Sequence, residues 1–260
     1  MATYLAFVAH RDDELNIAGT VMRMLDDGHR CVITCITNGS RGGLADRDEE
    51  ERKSIARSEF EAATDVIGCE RRWLDINEHE FPRPETQIVA RERIFEVLCE
   101  VDPDVLILHP GPPLGRYDYH EHHWLAARLP YAESYSASNP NYARPRGLAE
   151  MRGVPAVFHM CPIGMPMVPD RYVNITQYLD RKLEAARCYA SQVQFLADHD
   201  SVNFVEVHRA QSIVYGSYCG VPAAEAFCAS PAWNRLVAEA GLPEKGAARQ
   251  THSRNAWGRT

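Results

Sequence analysis

The sequence predicts an α/β protein: a Rossmann-like, mainly parallel β-sheet with helices on both faces, formed as a single domain with a C-terminal extension. Three observations carry this reading. Short continuous apolar runs at Tyr4–Ala9, Cys31–Thr37 and Asp104–His109 have the pattern of strands buried on both faces. Between them lie segments with apolar residues at helical spacing. The first strand, helix and strand together occupy about 35 residues, the size of a right-handed βαβ unit. With 260 residues, of which 45% are hydrophobic and 25% charged, the chain has the apolar material of an ordinary globular domain.

In chain order, Leu15, Ile17, Ala18, Val21, Met22 and Leu25 form one face of a helix over Glu14–Asp26, which Asp27–Gly28 closes. Asn38–Gly39 breaks the second strand, and Ser40–Arg47 is a Gly-rich polar loop without a nucleotide-binding fingerprint. A charged helix over Glu49–Ile67 stops at Gly68, a strand follows at Arg72–Ile76, and Glu85–Val101 is amphipathic. From Tyr131 to Gly153 the periodicity dissolves into Tyr, Ser, Asn, Pro and Arg. An irregular insertion covering a pocket is expected there, with Tyr131, Tyr135, Tyr142, Arg144 and Arg146 facing a ligand. Val154–Met160 reads as a strand, Ile175–Ala197 as one long helix and Phe204–Tyr215 as mixed structure. The domain is expected to span 1–243. After Glu244 only basic and small polar residues follow, so 244–260 is expected to be a disordered tail.

Charge and composition exclude several classes. The 28 basic and 36 acidic residues leave a net charge of −8, unfavourable for nonspecific nucleic-acid binding. The opening apolar run is far short of the roughly 20 residues a membrane span needs, and no basic region precedes it as in a secretory leader. The eight cysteines are scattered without a C-x-x-C pair, which favours free thiols and a cytoplasmic protein over disulfides or a cysteine zinc site. A homo-oligomer stays open.

Two polar clusters each lie just past a buried strand: His10–Arg11–Asp12–Asp13–Glu14 and His120–Glu121–His122–His123. In a parallel sheet both project from the edge where ligand crevices form. Imidazole and carboxylate are zinc ligands, and a catalytic site needs three of them plus an open position. His10 and Asp13, with one histidine of the second cluster, would complete such a set, while Asp12 or Glu14 would take the proton of an activated water. The competing structural reading is that these acids only open a helix, where the dipole favours them. Asp75, Asn77 and Glu78, after the third strand, are polar turn residues within reach of a ligand at that edge, and His109 either joins the pocket or closes its strand.

The run Ala9–His10–Arg11–Asp12–Asp13–Glu14 resembles the A-H-P-D-D-E signature of the LmbE-like zinc de-N-acetylases, the superfamily of N-acetylglucosaminyl-phosphatidylinositol de-N-acetylase. Asp118–Tyr119–His120–Glu121–His122–His123 resembles the same family's D-x-H-P-D-H. Thr37–Asn38–Gly39, the helix Arg57–Gly68, and Val173–Asn174–Ile175–Thr176 with Lys182 and Ser191–Gln192 follow in the family's order. The resemblance, over about residues 4–195, implies one Zn2+ held by His10, Asp13 and His123. It further implies Asp12 as general base and then acid, and a protonated His120 stabilising the oxyanion. The implied reaction is hydrolysis of an N-acetyl group from an N-acetylglucosamine-type small molecule or glycoconjugate.

The departures from the family pattern are specific. Arg11 and Glu121 stand in place of prolines, His122 in place of aspartate, and Tyr189 where histidine is usual. Arg11 is expected to bind an anionic substrate group or to pair with Asp12 and Glu14. His122 is expected to alter the protonation of its neighbours or to offer another ligand. Arg11, Arg57, Asp75 and His122 are the substrate-binding candidates. The alternatives are a metallophosphoesterase, which would hold two metals, and a sugar-binding homologue impaired in catalysis.

Overall fold

The structure, a computed structural model, describes residues 1–43, 46–111, 120–162, 165 and 167–230. The expected tail 244–260 and the signature residue Asp118 lie outside the described residues.

Among these residues one sheet contains β1 (Thr3–Val8), β2 (Arg30–Thr37), β3 (Glu70–Ile76), β4 (Val105–Leu108), β5 (Ala156–Met160), β6 (Arg171–Asn174) and β7 (Ala224–Ala229). Their order is β3-β2-β1-β4-β5-β7-β6. The first five in that order are mutually parallel, whereas β7 runs antiparallel to β5 and β6. The twofold alternation of a strand divides the core in two. Tyr4, Ala6 and Val8 pack on one face with helices α1 (Ala18–Asp26), α2 (Glu49–Ile67), α6 (Leu179–Arg187) and α8 (Phe204–Cys219). Leu5, Phe7 and Ala9 pack on the other with α3 (Pro84–Val101) and α4 (Glu121–Ser136). Because β2 and β4 flank β1 on opposite sides, the connections diverge at β1 and leave a crevice beyond the carboxyl ends of β1 and β4.

Several expectations change. The helix over Glu14–Asp26 is split: a 3-10 turn at Asp13–Asn16 precedes α1. The stretch 131–153 is not an irregular cover. Helix α4 continues through Pro130 to Ser136, a short helix α5 (Pro140–Ala143) follows, and Leu129, Ala137, Ala143 and Met151 pack into the second core. Arg144 pairs with Glu150, and Arg146 with Glu92 of α3, so neither arginine faces a ligand. The single helix over Ile175–Ala197 is two, α6 and α7 (Ala190–Asp200), with Tyr189 fully buried between them. Phe204–Tyr215 is wholly helical, begun by the Asn203 side chain accepting from the Glu206 amide. The sequence carries no clear signal for β6 or β7. Ala224–Ala229 reads AEAFCA, which has no strand propensity; pairing on both sides imposes the strand.

One buried ion pair joins these late elements to the early ones. Lys182 Nζ on α6 lies 2.8 Å from Glu225 Oε1 on β7, both wholly out of solvent. The same carboxylate accepts the Gly19 and Thr20 amides at 3.0 and 2.7 Å, at the start of α1. Removing the cation leaves that charge buried with only the two amides. Lys182→Met is therefore expected to cost about 3–5 kcal/mol, read as a lowered urea midpoint at unchanged slope; an unaltered midpoint would refute the assignment.

Candidate functional site

Beyond Val8 the chain leaves the sheet at Ala9 and turns sharply, and Asp13 Oδ2 accepts the His10 backbone amide at 2.7 Å to close the turn. That oxygen also lies 3.5 Å from His10 Nδ1 and 3.2 Å from His109 Nε2, at the end of β4. Oδ1 faces the other way, 3.5 Å from His123 Nε2 in the first turn of α4. His109 is buried beneath, stacked on His123 with ring centroids 4.6 Å apart, and its Nε2 also lies 3.1 Å from the Ala9 amide. Its tautomer decides whether it accepts from that amide or donates to Asp13. His109 thus belongs to the site rather than merely ending its strand.

One donor atom from each of His10, Asp13 and His123 lies within 4.8 Å of the other two. Zinc–ligand distances of about 2.0–2.2 Å put neighbouring donors of a tetrahedral site roughly 3.4 Å apart, so small movements close this set on an ion. A second set, His10, His120 and His122, meets the same criterion. Here His10 Nε2 and His122 Nδ1 stand 2.9 Å apart, and the His122 ring also bonds the Glu78 carbonyl. The two sets share His10, and only the first contains a carboxylate. Two or three imidazoles with or without one carboxylate match the donor preferences of zinc and similar divalent ions.

The three consecutive acids occupy three environments. Burial pushes the Asp13 carboxyl up, but His109 and His123 outweigh it and hold it well below the usual carboxylate range. Burial, with Asp13 adding, raises Asp12, which lines the cavity. Glu14 turns inward to accept the Tyr189 hydroxyl in a short hydrogen bond, and burial raises it well above its ordinary value. It does not line the cavity, which leaves Asp12 as the acid facing the ligand sets. His120 and His122 are both held down to about 4, by burial first and then by neighbouring imidazoles. His120 is therefore neutral near pH 7 rather than protonated as expected, and donates one ring N–H in that form.

The cavity measures about 700 Å³, within the range of small-molecule sites. Its floor is the histidine–aspartate cluster. One wall is the loop 41–43 with Arg52, and the other is Gln192, Phe195 and Leu196 of α7. His122 lies inside it as expected. Arg11 lines it too, but is only 5% exposed and pairs neither with Asp12 nor with Glu14. Its guanidinium lies 3.4 Å from Glu59 and donates to Ser191 Oγ at 3.2 Å, while Glu59 accepts from both the amide and hydroxyl of Ser191. It also packs under the loop, where a Cβ at Gly42 would fall 2.3 Å from Nη1.

Arg57 and Asp75 are not brought to the site. The Arg57 side chain is 66% exposed and pairs with Glu61, and Asp75 sits outside the cavity in a left-handed conformation with φ 53°. Arg52 and Glu78 line it instead. Arg52 lies four residues before Ala56, which is buried against Gly39, and the helical period puts both on one face of α2. Gly39 itself is obligatory: its φ is 73°, and a Cβ there would meet that of Ala56 at 2.2 Å. Glu78 accepts the Arg41 amide at 2.6 Å and lies 3.1 Å from the Thr37 hydroxyl.

Residues 5–131 match the family model described as PIG-L: GlcNAc-PI de-N-acetylase. A diacetylchitobiose deacetylase of Thermococcus kodakarensis is 25% identical over 191 residues, covering 72% of this chain and 69% of that one. A 4-oxalmesaconate hydratase of Pseudomonas putida is 24% identical over 198 residues, covering 72% and 73%. Among solved structures, the N,N'-diacetylchitobiose deacetylase of Pyrococcus horikoshii superposes with a TM-score of 0.75 at 23% identity, covering 88% of this chain and 84% of that one. That likeness is one of fold, and it extends beyond the matched residues into the late strands and helices. The signature turn after β1 and the histidine turn at α4 both fall inside residues 5–131, so it is this part of the chain that carries the PIG-L, or LmbE-like, family match.

Proposed function

We propose that this chain is a metal-dependent N-deacetylase acting on an N-acetylglucosamine-type compound or glycoconjugate. The observation that carries the reading is the convergence of His10, Asp13 and His123 within 4.8 Å, with Asp12 lining the same cavity. The deacetylases among its relatives support the reaction class. His10, Asp13 and His123 would hold the ion, since this set alone brings a carboxylate whose negative charge offsets that of a dication. A zinc ion so bound would polarise an amide carbonyl and acidify a water.

Asp12 is the base that accepts the proton of the attacking water. Its raised carboxyl pKa brings it nearer the operating pH than an ordinary aspartate. It then returns the proton to the departing nitrogen, because an amine anion is too basic to leave. His120 donates its ring N–H to the oxygen that gains negative charge in the tetrahedral intermediate. His109 positions Asp13 and does not touch the substrate.

A second reading has one specific support, the hydratase relative of nearly equal identity. The same acid–base pair would then add water across a carbon–carbon double bond. Acetate release from N-acetylated sugars separates the two, and absence of any turnover would favour a sugar-binding role. A metallophosphoesterase would need two separate metal sites, whereas the two ligand sets found among the described residues share His10.

Zinc-loaded protein is expected to hold one ion per chain by elemental analysis and to show a thermal midpoint that rises with free zinc. His10→Ala should abolish both; two retained ions would contradict the site. Asp12→Asn is expected to lower turnover at least a hundredfold while leaving the zinc content intact. In the wild type, Asp12 must be ionised to act. The rate should fall as pH drops through its raised pKa, giving an acidic limb above the ordinary aspartate range near 4. A limb at or below that range would remove Asp12 from the base role.

A further inference from the structure

The cavity is larger than an acetamide requires, and the wall away from the histidines is cationic. Arg11, Arg41 and Arg52 line it, set against Asp12, Asp13 and Glu78. Two of these acids are already engaged, and Asp12 stands beside the histidine cluster at the floor, away from Arg41 and Arg52. Asp13 lies among histidines at the ion-binding floor, and Glu78 is taken up by the Arg41 amide and the Thr37 hydroxyl. Of the cations, Arg11 is balanced by Glu59. Arg52 is not balanced in this way. Its Nε donates to the Ser40 carbonyl at 2.7 Å and its Nη1 to the Arg47 carbonyl, both neutral acceptors that hold the side chain in place without cancelling its charge. The Arg41 side chain is exposed, and no carboxylate among the described residues pairs with it. The nearby Glu49 feels the charges of both Arg41 and Arg52, but its hydrogen bonds go to Lys53 at 2.9 Å and Asn77 at 3.2 Å. A bound dication would add further positive charge to the floor.

We infer that the acyl compound bound here is itself an anion, carrying a carboxylate or phosphate that docks against Arg41 and Arg52 while its acetamide lies over the histidine–aspartate cluster. This deepens the deacetylase reading and rests on it for the reaction. Guanidinium groups suit such an anion because their planar forks present paired donors to two of its oxygens. Phe195, packed on Gly43, adds an apolar surface beside that pairing.

Zinc-loaded enzyme is assayed for acetate release from N-acetylglucosamine, N-acetylglucosamine 6-phosphate and N-acetylmuramic acid. The neutral sugar is the reference, and the other two distinguish phosphate from carboxylate. At least one acidic compound should exceed the neutral one in kcat/KM by roughly tenfold or more, chiefly through KM. Added NaCl should shrink the ratio, as screening weakens ion pairing. Arg41→Glu should reverse the preference, and Arg41→Lys should restore much of it. An equal or better neutral substrate, or a ratio indifferent to Arg41→Glu, overturns the inference and leaves the deacetylase reading standing. If no compound is hydrolysed, calorimetric binding of succinate and inorganic phosphate to the zinc-loaded protein decides. Binding weakened about tenfold by Arg41→Glu keeps the anionic site and sinks the deacetylase reading. Absent binding, or binding indifferent to Arg41→Glu, sinks both.

Discussion

The arrangement of the candidate site depends on keeping the Asp13 carboxylate ionised inside the protein. A buried carboxylate is costly unless neighbours compensate it. Here the compensation comes from three directions: the His10 amide closes the turn on Oδ2, His109 approaches the same oxygen from the end of β4, and His123 faces Oδ1 from α4. The two histidines lie far from Asp13 in sequence, and they reach it only because β1 and β4 are adjacent where the chain connections diverge. Any slip in the β1–β4 register would move His109 away from Asp13, so the pairing of two central strands and the ionisation of one side chain are the same constraint.

Much of this was legible in the sequence. The parallel half of the sheet was, because Tyr4–Ala9, Cys31–Thr37 and Asp104–His109 are uninterrupted apolar runs, and a strand covered on both faces needs such runs. The polar clusters at the ends of such strands then pointed to the site without knowledge of any contact. The antiparallel half was not legible. Strand β7 consists of Ala, Glu, Phe and Cys, and its conformation comes from two neighbouring strands rather than from local preference. The stretch 131–153 was misread for the opposite reason. Prolines and tyrosines there mask the end of α4 and the short helix α5, a region that packs through Leu129, Ala137 and Ala143. Within the site, the sequence pointed to Arg57 and not to Arg52, because a family pattern registers positions along the chain, whereas the burial of Ala56 decides which face of α2 reaches the cavity.

Two of the residues that depart from the family pattern, Arg11 and Tyr189, find their partners beneath the cavity rather than in it. Arg11 is joined to Glu59 and, through it, to Ser191 at the start of α7, so it ties the signature turn to two helices and supports the loop above. Tyr189 fills the break between α6 and α7 and donates to Glu14. Both replacements bring a long side chain with a polar end into a buried place, and each finds an acid of the first cluster or of α2. The break between α6 and α7 is thereby fixed from inside, and that break turns Gln192, Phe195 and Leu196 toward the cavity.

The three adjacent acids then show how one short turn separates three roles. Their intrinsic pKa values are nearly equal, so the division comes entirely from direction. Asp13 points at imidazoles and stays charged, Glu14 points into the core at a phenol and is driven toward its neutral form, and Asp12 points into the cavity with its affinity for a proton raised. The upward shift of Glu14 matters to the other two. Were it ionised, three negative charges would crowd within three residues, and Asp12 would be pushed further toward permanent protonation. Burial favours the protonated form of Glu14 and so lowers the repulsion that Asp12 feels at the edge of the cavity.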